Sequence, residues 1–256
     1  MNNIAESQPT SPNKHLSHVR EVIRQKAWYG LNPETGLFNW DLSIRNISDT
    51  LGLSSREPQV KEAFASAFTP NCLTKVQIKL ADGSLSEQSL IEAVKKLGIE
   101  QFIWTVGDSE WQLEKYKRSG ASQIIESDHY QYVPENKLFQ LRTMLSDLKA
   151  RKRGKNMHVL VADDKDKHTN EVKAMIREFE EKPEGGPSFT IGDYFFNLDD
   201  ENANAQAFYN FVQKYQEENR DDEVVIIFDF DGVVADTDGV LFGPAAEIIA
   251  GLYEGP

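Results

Sequence analysis

The chain has 256 residues, with 41 acidic against 28 basic side chains and a formal charge of −13. Its 39 % apolar content suits one elaborated domain or a core plus a smaller module, and its acidity argues against a protein that coats nucleic acid, which needs cationic surface to displace phosphate counterions. The single cysteine, Cys72, excludes an intrachain disulfide framework and a multi-thiolate zinc site.

The opening Met1 to Ser7 has neither a basic start nor an apolar stretch, so no secretory signal is read there. The apolar run Val224 to Phe228 is far short of the ~18–20 residues that span a bilayer. A cytoplasmic protein of a reducing compartment, without a transmembrane segment, is the expectation; nonclassical export stays open.

Residues 1–14 are polar and rich in Ser, Asn and Pro, which predicts a disordered tail. From His15 to Pro70 the pattern is one of short helices and loops with scattered aromatics (Trp28, Tyr29, Phe38, Trp40), and 15–79 is read as a helical region. Ser84 and Glu87 have capping-box spacing ahead of a helical stripe of Leu90, Ile91, Val94 and Leu97, which Gly98 stops. Phe102 to Val106 reads as a buried strand. A helix through Leu138, Leu141, Leu145 and Leu148 ends in the basic stretch Lys149 to Lys155.

The strand Val159-Leu160-Val161 then runs into Asp163-Asp164, and Val172, Met175, Ile176 and Phe179 stripe the next helix. Phe189-Thr190-Ile191 follows Pro187 as a strand, Phe208, Phe211, Val212 and Tyr215 mark a helix, and Val224 to Phe228 is the last strand. A loop over Gly239 to Pro244 and a short helix from Ala245 to Leu252 complete the pattern. Strands alternating with amphipathic helices predict an α/β fold, a Rossmann-like parallel sheet covered on both faces, over 80–239. The helical region 15–79 is expected to be completed by 240–256.

The chemistry is concentrated in Val225-Ile226-Ile227-Phe228-Asp229-Phe230-Asp231-Gly232-Val233-Val234-Ala235-Asp236-Thr237. A buried strand ends in two carboxylates one residue apart, and a glycine then permits a sharp turn. Ligands of open α/β sheets bind outside the carboxyl ends of the strands, so Asp229 and Asp231 are delivered where a site belongs. Two close carboxylates repel, and a divalent cation is the simplest way to hold both.

This segment resembles the first motif of the haloacid dehalogenase-like superfamily, most of whose members are magnesium-dependent phosphohydrolases. In most relatives that motif lies near the N-terminus, so the resemblance implies that the other motifs precede it here. Thr105 after Phe102-Ile103-Trp104 fits the second motif, and Val106-Gly107-Asp108-Ser109 with Gln112 and Lys115 is similar to the region that follows it. Lys137 fits the third motif, and Asp163-Asp164 the double-aspartate form of the fourth. The implied order is a circular permutation, with a helical cap assembled from both chain ends. A competing placement makes Gly107-Asp108-Ser109 the fourth motif; its second acid then falls at Gln112, which cannot replace a carboxylate at a cation. Exchange of the C-terminal segment between protomers would mimic a permutation, so the oligomeric state is left open.

The resemblance implies Asp229 as nucleophile and Asp231 as general acid and base, its pKa raised beside Asp229. Mg²⁺ would be bound by Asp229 and Asp231 (the latter through its backbone carbonyl) with Asp163 or Asp164, and Thr105 and Lys137 would contact the transferring phosphoryl group. The expected substrate is a phosphorylated small molecule or a phosphorylated protein side chain, with no nucleic acid. A phosphotransferase or phosphomutase on the same core, and a noncatalytic binding module, are the alternatives. The basic run Lys149, Arg151, Lys152, Arg153 and Lys155 reads as a solvated helix end. His15 and His18 lack companion metal ligands, Trp104 and Trp111 read as packing residues, and Asp199, Asp200 and Glu201 as a loop and helix start.

Overall fold

A computed structural model describes residues 12–27, 30, 39–133, 136–151, 154–180, 187–196 and 200–253. The chain divides into two compact units, one of residues 1–67 with 238–256, the other of residues 68–237.

The first unit opens with three helices, α1 (Pro12–Lys26), α2 (Trp40–Thr50) and α3 (Glu57–Ala67). Of the expected tail, residues 1–11 lie outside the described residues, while 12–14 belong to α1: proline at a helix start has its φ already set and forfeits no bonded N–H. Trp28, Tyr29 and Phe38 also lie outside the described residues. Val19, Val22 and Ile23 of α1, Ile44 and Ile47 of α2, and Val60 and Phe64 of α3 are buried at the i, i+3, i+4 spacing of one helical face. Asn39 caps α2 by accepting from the Leu42 N–H at 3.0 Å, and Trp40 packs edge-on to Phe64 at 5.3 Å.

The second unit begins with a hairpin that corrects two expectations. β1 (Lys75–Lys79) pairs antiparallel with β2 (Leu85–Ser89), so 75–79 is strand rather than helix and belongs to this unit, and no helix starts at Ser84. The cause is the Asp82-Gly83 turn: Gly83 has φ +84°, and Asp82 Oδ1 accepts from the Ser84 N–H at 2.9 Å. The helix cap is Ser89, which accepts from the Glu92 N–H at 3.4 Å and starts α4 (Leu90–Lys96).

There follow β3 (Glu100–Val106), α5 (Ser109–Arg118), β4 (Tyr130–Val133), α6 (Lys137–Arg151), β5 (Met157–Asp163), α7 (Asp166–Phe179), β6 (Phe189–Phe195), α8 (Glu201–Glu218) and β7 (Glu223–Phe228). The chain then enters α9 (Thr237–Val240), a looser helical turn over Leu241–Ala245, and α10 (Ala246–Gly251). The expected loop over 239–244 is therefore helical, and residues 238 and 239 belong to the first unit. In that unit α10 packs on α1, and Arg56 Nη1 donates to the Leu252 carbonyl at 2.6 Å.

The main sheet has the order β4-β3-β7-β5-β6 and is parallel throughout. The last strand in the sequence is thus the middle strand of the sheet. Val225 and Ile227 of β7 share one face with Val159, Val161 and Trp104, packed against Leu141, Met144, Leu145 and Leu148 of α6 and Val172, Met175 and Phe179 of α7. On the other face Phe208 of α8 packs against Phe228 at 5.6 Å. Helices on both faces explain why the strands read as unbroken apolar runs. Among the described residues no helix is long and apolar enough to cross a membrane.

Candidate active site

β7 carries Asp229 to the carboxyl end of the sheet between β5, which ends in Asp163, and β3, which carries Thr105. Phe228 pairs with Ala162 on one side and Ile103 on the other, and the Asp229 N–H donates to the Ala162 carbonyl at 2.8 Å. Asp229 and Asp163 therefore lie side by side, each one residue past that pair. Strand alternation sends both to the face that α6 covers. Thr105, buried, lies two residues past Ile103 on the neighbouring strand.

Lys137, the first residue of α6, fills the space over these acids. Its Nζ is 2.7 Å from Asp163 Oδ2 and 2.6 Å from Asp229 Oδ2, and it sits 4.2 Å from the centre of the Trp104 ring. Trp104 in turn donates its Nε1–H to the Lys137 carbonyl at 2.5 Å, which fixes the helix start against the sheet. Trp104 is thus both a packing residue and the floor beneath the ammonium. The remaining Asp163 oxygen accepts from the Lys165 N–H at 2.8 Å, and Asp229 Oδ1 from the Phe230 N–H at 2.7 Å.

The turn after β7 is tied down from both sides. The Phe230 carbonyl accepts from the N–H groups of Val234 and Ala235 at 3.0 and 2.9 Å. Thr74 N donates to the Val234 carbonyl and Asp236 N to the Cys72 carbonyl, each at 2.9 Å. The Cys72 thiol is pushed up to about 11 by burial, so this cysteine is a packing residue. Gly232 is required here twice over: its φ is +76°, and a Cβ would lie 2.4 Å from Asp164 Oδ2.

That close approach brings in Asp164, whose Oδ1 is buried without a hydrogen-bond partner among the described residues. Oxygens of Asp163, Asp164 and Asp229 lie within 4.8 Å of one another. Burial, then repulsion from Asp229, pushes Asp164 up to about 6. Burial likewise raises Asp229, with Lys137 pulling the other way and Asp163 adding repulsion. Three crowded carboxylates with an unsatisfied buried oxygen suit a hard divalent cation, which takes oxygen ligands and lowers their repulsion. These three acids could hold such a cation.

Asp231 is held apart from this cluster. Lys115 of α5 places its Nζ 2.6 Å from Asp231 Oδ1 and 2.8 Å from Oδ2, and the Thr237 hydroxyl also donates to Oδ1. Burial would raise Asp231, but Lys115 and the Thr237 hydrogen bond outweigh it and hold the carboxyl below its ordinary range. The raised pKa expected of Asp231 is therefore found on Asp229 and Asp164 instead. The Asp231 carboxylate lies outside the three-carboxylate cluster; the metal contact expected of this residue was its backbone carbonyl.

The region after Thr105 has structural duties. Asp108 caps α5 by accepting from the Trp111 N–H at 3.0 Å, and Gln112 Nε2 donates to the Val106 carbonyl at 2.9 Å. The Tyr130 hydroxyl, kept neutral by burial, donates to the Gln112 carbonyl at 2.8 Å. Elsewhere Arg151 pairs with Glu100 and Lys149 Nζ donates to the Phe179 carbonyl at 3.1 Å, while Lys152 and Arg153 lie outside the described residues. His15 stacks on Tyr253 at 5.2 Å and His18 is exposed. Asp200 caps α8, accepting from the Ala203 N–H at 3.0 Å, and Asp199 lies outside the described residues.

No protein-family model, no curated protein and no solved structure matches this chain. The functional reading rests on the geometry and on the motif resemblance. Two contributors had no assigned role from sequence: Lys115, which lies in a run of charged residues, and Gly232 as the seat of Asp164. The i, i+3 spacing of Gln112 and Lys115 was the available signal, since it puts both on the buried side of α5.

Proposed function

We propose that this chain is a Mg²⁺-dependent phosphohydrolase of haloacid dehalogenase-like type, acting on phosphate monoesters through an aspartyl-phosphate. The observation that carries the reading is the convergence of Asp229, Asp163, Asp164 and Lys137, from segments far apart in sequence, at the carboxyl ends of two adjacent strands. That the Asp229 strand lies between those of Thr105 and Asp163 supports a permuted order of motifs.

In this reading an Asp229 oxygen attacks phosphorus, the P–O bond to the leaving group breaks, and the leaving oxygen takes the proton carried by the monoanionic phosphate ester, relayed through Asp231, which Lys115 holds ionised at rest. Water then attacks the aspartyl-phosphate and gives its proton to Asp231, which passes it to solvent as phosphate is released and Asp229 is restored. Splitting one displacement into two lowers each barrier. Asp163, Asp164 and Asp229 would hold Mg²⁺, which supplies charge neutralisation at the phosphoryl oxygens. Lys137 adds a second positive charge beside the nucleophile, and Thr105 offers a hydroxyl from the neighbouring strand.

Hydrolysis of an aryl phosphate, with Mg²⁺ and with a chelator, tests the reading. Turnover should require the cation and vanish in Asp229→Asn while far-UV circular dichroism is unchanged. An Asp229→Asn protein as active as the parent removes the nucleophile and with it the proposal.

A further inference from the structure

Lys115 is one of the largest side chains in the chain to be fully buried, and it is charged. Taking an ammonium out of water costs several kcal/mol, and a buried pair seldom stabilises a fold more than apolar packing of the same shape. A methionine or leucine beside Trp111 and Tyr116 would serve the packing of α5 as well. What Lys115 touches accounts for its charge. Its Nζ is within hydrogen-bond distance of both Asp231 oxygens, 5.2 Å above the Phe230 ring, and the Thr237 hydroxyl donates to the same carboxylate.

Exposure is divided unevenly across the pair: the Lys115 side chain is 2 % accessible and that of Asp231 is 26 %. The lysine therefore stands behind the carboxylate, and only the carboxylate can meet a reactant. Lys137 meanwhile is engaged by Asp229 and Asp163, so the two buried lysines attend to different acids.

Taking the phosphohydrolase reading as its basis, we propose that Lys115 is a positioning residue: backed by the Thr237 hydroxyl, it holds the Asp231 carboxylate in the orientation from which Asp231 takes the proton of the attacking water. A carboxylate on two single bonds otherwise samples several rotamers, and general-base catalysis needs the acceptor within hydrogen-bond reach of the proton. Lys115 touches neither the phosphoryl group nor the water. Its loss should therefore slow breakdown of the aspartyl-phosphate more than its formation.

The test is burst kinetics with 4-nitrophenyl phosphate and Mg²⁺ on the full chain, comparing Lys115→Met, Lys115→Arg, Thr237→Val and Asp231→Asn. Lys115→Met should lower kcat by roughly 10- to 100-fold, at or below the low end of the roughly 10²- to 10⁴-fold that a positioned base contributes, since the base itself remains, and lower KM with it. It should also show a burst approaching one nitrophenolate per chain. Thr237→Val should give the same signature more weakly, and Lys115→Arg should recover part of kcat. Lys115→Met in the Asp231→Asn background should cost nothing further.

A Lys115→Met enzyme with reduced kcat, unchanged KM and no burst, or one whose loss multiplies that of Asp231→Asn, overturns the positioning role and leaves the phosphohydrolase reading standing. Should Lys115→Met fail to fold, Thr237→Val decides alone: parental kinetics in it overturn the proposal. A parent chain without Mg²⁺-dependent turnover brings down both.

Discussion

At the amino end of the parallel sheet, a half-buried polar cluster is closed on itself. His158 at the start of β5 has Nε2 2.9 Å from Asp222 Oδ2 and Nδ1 2.6 Å from Thr190 Oγ1, with the Tyr215 hydroxyl 3.0 Å away. Asn156 Nδ2 donates to the other Asp222 oxygen at 2.9 Å. At the carboxyl end of the same strands, Asp163, Asp164 and Asp229 crowd together beneath Lys137, and Asp164 Oδ1 has no hydrogen-bond partner among the described residues. One cluster has an imidazole and amide for its single carboxylate. The other sets three carboxylates against Lys137 and the nearby Lys165, and leaves the Asp164 Oδ1 oxygen unsatisfied. A saturated polar network is explained by the fold, whereas an unsaturated one asks for a ligand.

The difference can be broken most sharply at Lys137. Lys137→Met leaves Asp163 and Asp229 buried without their ammonium, and removing one partner of a buried pair costs about 3–5 kcal/mol. Urea denaturation without divalent cation should register a loss of that size, and Mg²⁺ should restore part of it. A midpoint unmoved by the substitution would mean that the two acids are already protonated. Gly232→Ala comes next. Positive φ and the contact with Asp164 together predict a loss of about 1–3 kcal/mol, and displacement of Asp164 should abolish Mg²⁺-dependent turnover. Full activity in that variant would exclude Asp164 from the cation site.

pH separates the two ends further. Asp164 titrates near 6 in the folded chain against an ordinary value of 3.8, so its contribution to stability is present below about 4 and is lost as pH rises through 6. Melting with a chelator should therefore show stability falling between pH 5 and 7.5. After allowance for solvent screening the loss is of the order of 1 kcal/mol, a few degrees in Tm. Mg²⁺, which needs the ionised carboxylate, should stabilise more at pH 7.5 than at pH 5. Asp164→Asn should flatten both dependences. At the amino end, by contrast, Asp222→Asn trades charge-assisted bonds for neutral ones. A loss of about 1 kcal/mol in urea, with kcat and KM unchanged, is expected there. A fall in kcat would tie that cluster to the reaction.

Much of this was legible in the residues themselves. The strands of the sheet interior, β3, β5 and β7, are apolar on both faces and read as continuous runs, and Asp229-Phe230-Asp231-Gly232 announces a turn with acids at a strand end. Lys137 was legible from its place ahead of the leucine stripe. The hairpin was not read, although Asp82-Gly83 marks it, because its strands are short and mostly exposed, and a serine and glutamate at capping distance imitated a helix start. β4, four residues long and rich in tyrosine, carries too little pattern to stand out. The protonation order of Asp229 and Asp231 was inverted for a tertiary reason. Sequence places the two acids together, but only packing of α5 delivers an ammonium to Asp231 while β5 delivers further carboxylates to Asp229.

The place of β7 in the middle of the sheet also governs how the chain can fold as it is made. Domains generally begin to form while the ribosome is still working, at about 5–20 residues per second. Here, synthesis as far as Glu218 yields two separate strand pairs, β4-β3 and β5-β6, whose inner edges have nothing to bond. Unpaired edges of apolar strands recruit other chains. Until residues 223–228 emerge and slot between them, the inner edges of β3 and β5 have no strand to pair with. Arrival of that one segment joins the halves and delivers Asp229 to the sheet's carboxyl end in the same event.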